Sequence, residues 1–275
     1  MIKSMFSAVT GLKSHQTMLD VIGNNIANVN TAGFKASKVL FTDLYYQTLA
    51  DAGAPGESSG GENPTQIGYG STVSSIDLLM TRSGYQQTSR TLDLYISGEG
   101  YFSVLDPTGQ VLFTRVGSFR FNSDDTLVDS NGNFVLGQMP EIGDPLELDK
   151  IKIADFENYN AVYIDNTGKI LGTNTKTMQV ETLGQLALAV FTNPEGLSQE
   201  GNMNYTATAN SGKAVYHAPA SESAGPLVAG GLEMSNVDLT KEFTDLIVAQ
   251  RGFQANSRVI TTSDQVLEEL VNLKR

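Results

Sequence analysis

The two ends of the chain each carry an apolar pattern that repeats every seven residues. The residues of the N-terminal pattern are Met5, Leu12, Leu19 and Ile26, with Ile2 and Val9 in the complementary row. The residues of the C-terminal pattern are Leu239, Leu246, Phe253, Ile260 and Leu267, with Phe243 and Val271 in the complementary row. A repeat of this kind makes a seam along which a second helix can pack. A long helix is therefore predicted at each end of the chain.

Local signals mark the limits of both helices. The sequence SNVD at residues 235–238 offers side-chain oxygens that can cap a first turn, and Gly33 can end the N-terminal helix. We predict helices within residues 1–33 and 235–275. Because one precedes the central part of the chain and the other follows it, they are expected to form an antiparallel, coiled-coil-like pair. An isolated helix of this length is marginal in water, so both need partners.

Between the helices the pattern changes to short β-branched and aromatic runs, separated by turn sequences such as DPTG and DNTG. The candidate strands are Leu92–Ile96, Tyr101–Leu105, Leu112–Arg115, Ser118–Asn122, Asn133–Leu136, Ile151–Ile153, Ala161–Ile164, Ile170–Thr173 and Leu186–Phe191. They predict a central, mainly antiparallel β domain over residues 76–208, and an α+β fold. Residues 34–75, which include a Gly-, Ser- and Pro-rich stretch, are expected to be an extended linker, and residues 209–234 a return segment.

The apolar surface of the N-terminal helix extends beyond its seam. Phe6, Met18, Val21, Ile22 and Val29 lie off the seven-residue rows. One partner helix cannot cover a surface of this width, and each buried Leu, Ile or Phe would contribute roughly 1.5–3 kcal/mol. We therefore expect further helices to come from other copies of the chain, which makes the protein a homopolymer.

Asparagines and a glycine lie inside the N-terminal helical pattern. Asn24, Asn25 and Asn28 are poorly suited to a helix interior because their amides compete for backbone hydrogen bonds. In a helix with several neighbours, such amides can fix register through interhelical hydrogen bonds. Alternatively, they face water or frayed backbone near the helix end. Gly23 is expected to allow close packing. These four residues join the apolar rows as predicted assembly residues.

Charge and composition exclude several partner classes. The net charge is −12 and falls almost entirely in the middle of the chain, which argues against nucleic acid and anionic membrane surfaces. The longest apolar run, Leu186–Phe191, is far shorter than the ~20 residues of a spanning helix, so no membrane insertion is expected. The N-terminus lacks the apolar region of a cleavable secretory signal. The protein should stay inside or leave by a route that keeps its N-terminus.

The sequence offers little for catalysis. Cysteine is absent, which removes disulfides, thiol nucleophiles and cysteine-bound metals. His15 is expected to be a surface or packing residue, and His217 has no evident partner. Asp124, Asp125 and Asp129 lie in turn sequences, where aspartate favours turn geometry. We predict no enzyme activity, no cofactor and no metal site.

Several stretches resemble bacterial flagellar rod and hook proteins. MIKSMFSAVTGLKSHQ and LDVIGNNIANVNTAGFK resemble the N-terminal signature of that family, and residues 234–275 resemble its C-terminal signature. LDLYISGEGYF, FTRVGSF, LVDSNGNFVLG and GQLALAVFTNPEGL resemble its β-domain motifs in the expected order. Val116 within FTRVGSF is a minor departure. The resemblance covers nearly the whole chain.

The resemblance implies a structural role. Terminal helices of such subunits form an inner tube, and the β domain forms the outer wall. The chain would leave through the flagellar type III export apparatus and join other axial proteins, the rod below and junction or cap proteins above, in the hook or basal body outside the cytoplasmic membrane.

Length and the ending TTSDQVLEELVNLKR most resemble the compact hook subunit of Gram-positive bacteria, a flexible universal joint that passes motor torque to the filament. The distal rod subunit, a stiff drive shaft, is the alternative. A secreted β-domain adhesin or binding module is the remote alternative from another class.

Overall fold

The chain has a helix near each end and β structure between them. The computed structural model describes residues 2–54, 60–138, 148–153, 156–221 and 223–273. The helices are α1 (Ile2–Ala27) and α2 (Leu239–Leu273). The strand pairs between them are antiparallel, which confirms the predicted α+β class. Two compact units are present, which we name the helix unit (Met1–Val29, Ala36–Leu79 and Val237–Arg275) and the β unit (Asn30–Lys35 and Met80–Asn236).

The strands are numbered in the order in which they occur along the chain. Those of the helix unit are β1 (Ser37–Asp43), β2 (Tyr46–Ala50), β3 (Thr65–Gly68) and β4 (Ser71–Leu78). Those of the β unit are β5 (Tyr85–Gln87), β6 (Leu94–Ile96), β7 (Tyr101–Leu105), β8 (Val111–Thr114), β9 (Phe119–Phe121), β10 (Leu127–Asp129), β11 (Phe134–Gln138), β12 (Asp149–Lys150), β13 (Tyr159–Ile164), β14 (Lys169–Asn174), β15 (Val180–Leu186), β16 (Leu188–Val190), β17 (Ser198–Gly201), β18 (Asn204–Thr206), β19 (Val215–His217), β20 (Leu227–Ala229) and β21 (Gly231–Glu233). Two short 3-10 helices lie at Phe156–Asn158 and Pro194–Gly196.

Residues 34–75, expected to be an extended linker, are mostly strands. β1 pairs with β4, and β2 pairs with β3, both antiparallel. The Gly-, Ser- and Pro-rich stretch is confined to the connection between β2 and β3, so the average composition of the segment concealed the β-branched and aromatic residues on both sides of it. The return segment 209–234 likewise contains β19, β20 and β21.

Helix α1 ends at Ala27, before the predicted stop at Gly33. The backbone N–H of Asn28 donates to the carbonyls of Asn24 and Asn25, both at 3.2 Å. The side chain of Asn28 donates to the carbonyl and to Oδ1 of Asn24. These amide contacts compete with the regular backbone pattern, which is how asparagine ends a helix. Helix α2 begins as expected, because Oδ1 of Asp238 accepts the N–H of Thr240 at 2.9 Å.

The β unit is built on a large antiparallel sheet. Its longest path of paired strands is β13-β14-β15-β11-β7-β8-β18-β17. Strand β16 pairs with β7 and with β19, and strand β10 pairs with β11 and with β9. β20 pairs with β6, and β21 pairs with β5. The core contains large apolar side chains, among them Leu94, Phe102, Phe119, Leu127 and Leu188.

The predicted strands of the β unit agree with the observed ones except in one place. Tyr101–Leu105 is β7, and seven others overlap β6, β8, β9, β11, β13, β14 and β16. Ile151–Ile153 does not form a named strand, although both isoleucines are buried. The ladder with β11 involves Asp149 and Lys150 instead. Ile151 and Ile153 are thus buried although their segment does not pair continuously with a neighbouring strand.

A buried ionic cluster joins the first and last segments of the β unit. Nζ of Lys35 donates to Oε1 of Glu233 at 2.5 Å and to the carbonyl of Thr81 at 2.9 Å. Nη1 of Arg115 lies 3.6 Å from Oε2 of Glu233. Burial lowers the pKa of Lys35, and the Glu233 carboxylate opposes that shift. Because all three charged side chains are almost fully buried, removing one partner would leave an unpaired charge inside the unit.

Candidate assembly surface

Helices α1 and α2 pack against each other within the helix unit, and their contacts run antiparallel. Gly11 of α1 lies against Asn256 of α2, and His15 of α1 lies against Gly252 of α2. A step of four residues forward along α1 therefore corresponds to a step of four residues backward along α2. The predicted antiparallel direction agrees with these contacts, while a coiled-coil geometry remains a prediction.

The face that joins the two helices consists mainly of small and polar side chains. Gly11 and Gly252 lie at the contacts with Asn256 and His15, and Ala249 of α2 is buried. Ser14 and Asn25 of α1 are also buried, but they hydrogen-bond to the backbone of Ser71 in β4 and Ser37 in β1. Small side chains allow close approach of the two helix backbones. They bury little apolar area, so this face supplies a modest part of the hydrophobic stabilisation that such long helices require.

The predicted seam of α1 lies largely outside this face. Ile2 is 76% exposed and Val9 is 53% exposed. Met5, Leu12, Leu19 and Ile26 are partly buried. Gly11 and His15, which contact α2, instead lie outside the predicted rows, and Gly11 comes one position before Leu12. One position corresponds to about 100° of rotation around a helix, so the apolar rows point to the side of α2 rather than into it.

The two predicted rows of α2 differ in how far their side chains are buried. Leu246, Ile260 and Leu267 are partly buried, whereas Leu239 and Phe253 are exposed. In the complementary row, Phe243 is 51% and Val271 is 65% exposed.

Further large apolar side chains are exposed on both helices. They are Phe6, Ile247, Val248, Val259, Val266, Leu270 and Leu273. Three more, Tyr45, Tyr46 and Leu49, are exposed at β2 or directly before it. A monomeric soluble protein rarely exposes so much contiguous apolar surface, which is characteristic of interaction sites. The helix unit thus presents apolar faces for which one chain provides no cover among its described residues.

The predicted assembly residues with amides divide into two groups. Asn24 and Asn28 hydrogen-bond to each other at the end of α1. Asn25 is buried, and its side chain exchanges two hydrogen bonds with the backbone of Ser37 at 2.9 and 3.0 Å, which fixes α1 to β1. Gly23 is exposed, and a Cβ added there would meet nothing within 4 Å. Within one chain, Gly23 therefore faces open space, and the Asn24–Asn28 hydrogen bonds lie within the last turn of α1.

A carboxyl group lies near Asn25 where α1, β1 and α2 meet. Burial raises the pKa of Glu242, while a hydrogen bond from Asn25 lowers it. A cavity of about 80 Å³ is lined by these two residues together with Met18 and Lys241. The polar contacts at this end of the helix pair are therefore incompletely packed.

Neither a metal site nor a membrane span emerges from the described ranges. No three His, Asp or Glu side chains converge there in a way that could hold a metal ion. Neither α1 nor α2, over its described length, is apolar enough to cross a bilayer.

Comparison with known proteins identifies the family. Three family models match: "Flagella basal body rod protein" over residues 5–35, "Flagellar hook protein FlgE/F/G D1 domain" over residues 95–172, and "Flagellar basal body rod FlgEFG protein C-terminal" over residues 228–273. The flagellar basal-body rod protein FlgG of Bacillus subtilis (strain 168) is 45% identical, with all of both chains aligned. The chain belongs to the flagellar FlgE/F/G family of rod and hook proteins.

Two further FlgE/F/G relatives come from Borreliella burgdorferi. Its flagellar basal-body rod protein FlgG is 36% identical over 282 positions. Its flagellar hook protein FlgE is 28% identical over 443 positions. All of each chain is aligned in both cases. The family consists of structural proteins of the flagellar hook and basal body, and the present chain is a flagellar component of this type. The N- and C-terminal family models coincide with α1 and α2, so the parts that expose apolar residues are also parts by which the family is recognised.

Sequence reasoning missed three residues of the helix pair, Gly11, Gly252 and Asn256, which were absent from the predicted assembly residues. His15, expected to be a surface or packing residue, packs against Gly252. The available signal was the small residues at positions 8, 11, 249 and 252, spaced by three on each helix. The seven-residue apolar rows are more conspicuous, and the members of the two complementary rows, Ile2, Val9, Phe243 and Val271, are exposed.

Proposed function

We propose that the protein is the distal rod subunit of the flagellar basal body, which polymerises into a stiff drive shaft. Agreement in length with FlgG carries the proposal. The Bacillus subtilis FlgG alignment spans 276 positions, close to the 275 residues of the chain. The FlgE alignment spans 443 positions at 28% identity, so it contains long gaps.

Polymerisation follows from the exposed faces of the helix unit. The apolar surfaces of α1 and α2 differ from each other, so one subunit can meet the next through unlike patches. Such heterologous contacts do not close on themselves and generate an open helical assembly. Each exposed Leu, Ile or Phe that becomes buried would contribute about 1.5–3 kcal/mol. Helices of neighbouring copies would form the inner tube, and the acidic β units would form the outer wall.

The partners in this proposal are other copies of the chain, adjoining axial proteins of the flagellum, and the flagellar type III export apparatus. The predicted assembly residues retain their proposed role between copies. Ile2, Val9, Phe243 and Val271 are the best candidates, because their side chains are already exposed in one chain. Gly23 would allow close approach of a helix from another copy, since it has open space beside it.

The hook subunit is the second candidate. The ending TTSDQVLEELVNLKR and the compact length resemble the hook subunit of Gram-positive bacteria, and residues 95–172 match a model described for hook and rod proteins together. Rod and hook subunits share the helix pair and the β unit. The distinction therefore lies in where the chain is incorporated.

Immunogold labelling of purified hook-basal bodies tests the proposal. A tag on an exposed turn of the β unit, such as Asp106–Gly109, would report position. Gold confined to the shaft supports the distal rod subunit, and gold along the curved external segment assigns the hook instead. Absence from both structures, with retained binding by the isolated β unit to a surface ligand, would favour the adhesin alternative.

A further inference from the structure

Each helix of the pair places one large side chain against a glycine of the other. Asn256 lies over Gly11, where an added Cβ would be 2.8 Å from Nδ2. His15 lies over Gly252, where an added Cβ would be 2.5 Å from Nε2 and 2.6 Å from Cε1. Cβ atoms essentially never approach other atoms this closely. The two contacts are one helical turn apart and reciprocal, since each helix supplies one glycine and one side chain.

We propose that Gly11, His15, Gly252 and Asn256 form a register lock that selects the antiparallel alignment of α1 and α2. An apolar pattern that repeats every seven residues tolerates a slip of seven residues, because the same kinds of side chain meet again. Other determinants must therefore fix the alignment. A single polar residue in a seam is known to do so in other helix pairs.

The glycines do not recur at seven-residue intervals. The residues seven positions from Gly252 are Asp245 and Val259, and those seven positions from Gly11 are Ser4 and Met18. After a slip in either direction, His15 would face a side chain instead of a glycine, and so would Asn256. Steric clashes thus disfavour the shifted helix alignments. The observed alignment is selected because the shifted ones are worse, and not because it makes additional attractive contacts.

The lock determines how the outward side chains of α1 and α2 line up along the pair. The rows that contain Val9 and Phe243 are exposed. A slip of seven residues would leave the same rows exposed but would change which exposed side chain of α1 lies beside which exposed side chain of α2. The lock is thus a specificity determinant for contacts between copies, and only this consequence rests on the proposed polymerisation.

Disulfide formation tests the register within the full-length chain, which has no cysteine of its own. Met18→Cys with Ala249→Cys continues the observed register by seven residues from Gly11 and Asn256. Met18→Cys with Ser263→Cys places the second thiol on the same face but ~21 Å farther along α2. The first pair should close at least about tenfold faster, because a disulfide needs Cα atoms within about 7 Å. Equal rates would overturn the lock.

Substitutions of the glycines test which residues set the register. Gly252→Ala is added to both cysteine pairs. The pair Met18→Cys, Ala249→Cys should then lose its tenfold faster closure. Gly23→Ala is the matched control for the disulfide rate alone, because it gives the same gain in helix propensity at a site with open space within one chain. Adding His15→Ala to Gly252→Ala should restore the preference by making room for the new methyl group. If Gly252→Ala behaves like Gly23→Ala, or the double substitution fails to recover, the four residues do not set the register.

Tube formation is scored separately from disulfide formation. Near-ultraviolet circular dichroism of the tyrosines confirms in each variant that the β unit is folded. Failure of the unsubstituted chain to form tubes would count against the proposed function and leave the disulfide result intact. A lost disulfide preference with normal tubes would count against the lock alone.

Discussion

The two units differ in the size of the apolar side chains that they bury. The β unit encloses Leu94, Phe102, Phe119 and Leu188 almost completely. In the described part of the helix unit, the fully buried apolar residues are three alanines and one isoleucine: Ala8, Ala36, Ala249 and Ile22. Its large apolar residues lie mostly on the surface. The β unit thus completes its core within one chain. In the helix unit most of the large apolar side chains remain exposed, so their burial could still stabilise an assembly.

Removal of either terminal helix should have the largest effect and separate the two units most clearly. Deleting residues 1–30 or 236–275 removes an assembly face but leaves nearly all of the β unit. We expect no tubes by electron microscopy, a monomer by sedimentation, and a cooperative thermal transition from the remaining β unit. Tubes formed by either truncated chain would refute polymerisation through the helices.

A pair of phenylalanine substitutions tests the contrast at single side chains. Phe102→Ala should lower the free energy of unfolding of the β unit by about 3–5 kcal/mol, because the ring is fully buried against Phe119. Phe243→Ala should change monomer stability by less than about 0.5 kcal/mol, since that ring is half exposed, yet should slow tube formation. Urea denaturation and light scattering measure the two effects. The contrast fails if Phe243→Ala destabilises the monomer as strongly as Phe102→Ala.

The ionic cluster should respond as part of the β-unit interior. Lys35→Met leaves the Glu233 carboxylate buried with no full charge nearer than Arg115 at 3.6 Å and with a hydrogen bond from the Ser83 hydroxyl at 3.2 Å, and should lower the free energy of unfolding by about 3 kcal/mol. Lys38→Met, three residues later on an exposed position of β1, is the matched control and should have little effect. Urea denaturation of both full-length variants checks this. Equal stability of the two variants would show that the cluster contributes nothing net.

The smallest effect is expected at Glu242. Since burial raises the pKa of its carboxyl in the folded helix pair, the folded state holds the proton more readily than the unfolded state. The corresponding stabilisation is present in acid and lost as the pH rises from the unfolded pKa through the raised folded value. Glu242→Gln should remove this slope from the helical melting temperature at pH values above the ordinary glutamate pKa. The effect is modest because the side chain is only partly buried. An unchanged slope would assign the pH dependence to other carboxyl groups.

The β unit was largely predictable because turn chemistry and alternating apolar runs are local signals. Turns such as DPTG and DNTG end in Gly109 and Gly168, whose φ angles of +84° and +77° favour glycine. The cap at Asp238 was predictable for the same reason. Strands β1 to β4 were missed because a loop between β2 and β3 dominated the composition of their segment.

The helix faces were harder to predict because a periodic apolar pattern does not show which element packs against it. The rows through Val9 and Phe243 were correctly seen as apolar, but the sequence alone could not show that α1 meets α2 at Gly11 and Gly252. Small residues give a weak signal in any hydrophobic pattern. The rows through Val9 and Phe243 therefore mark surface that stays exposed after α1 and α2 have paired.

The contact between Lys35 and Glu233 joins positions 198 residues apart. Whenever the polypeptide is delivered with its N-terminus leading, as on the ribosome, this bond has to wait until more than four-fifths of the chain has emerged. Strand β21, which pairs with β5, arrives equally late. A chain delivered only to its middle therefore lacks both the Lys35–Glu233 ion pair and the β5–β21 ladder, and its β unit cannot complete its fold until residue 233 has arrived.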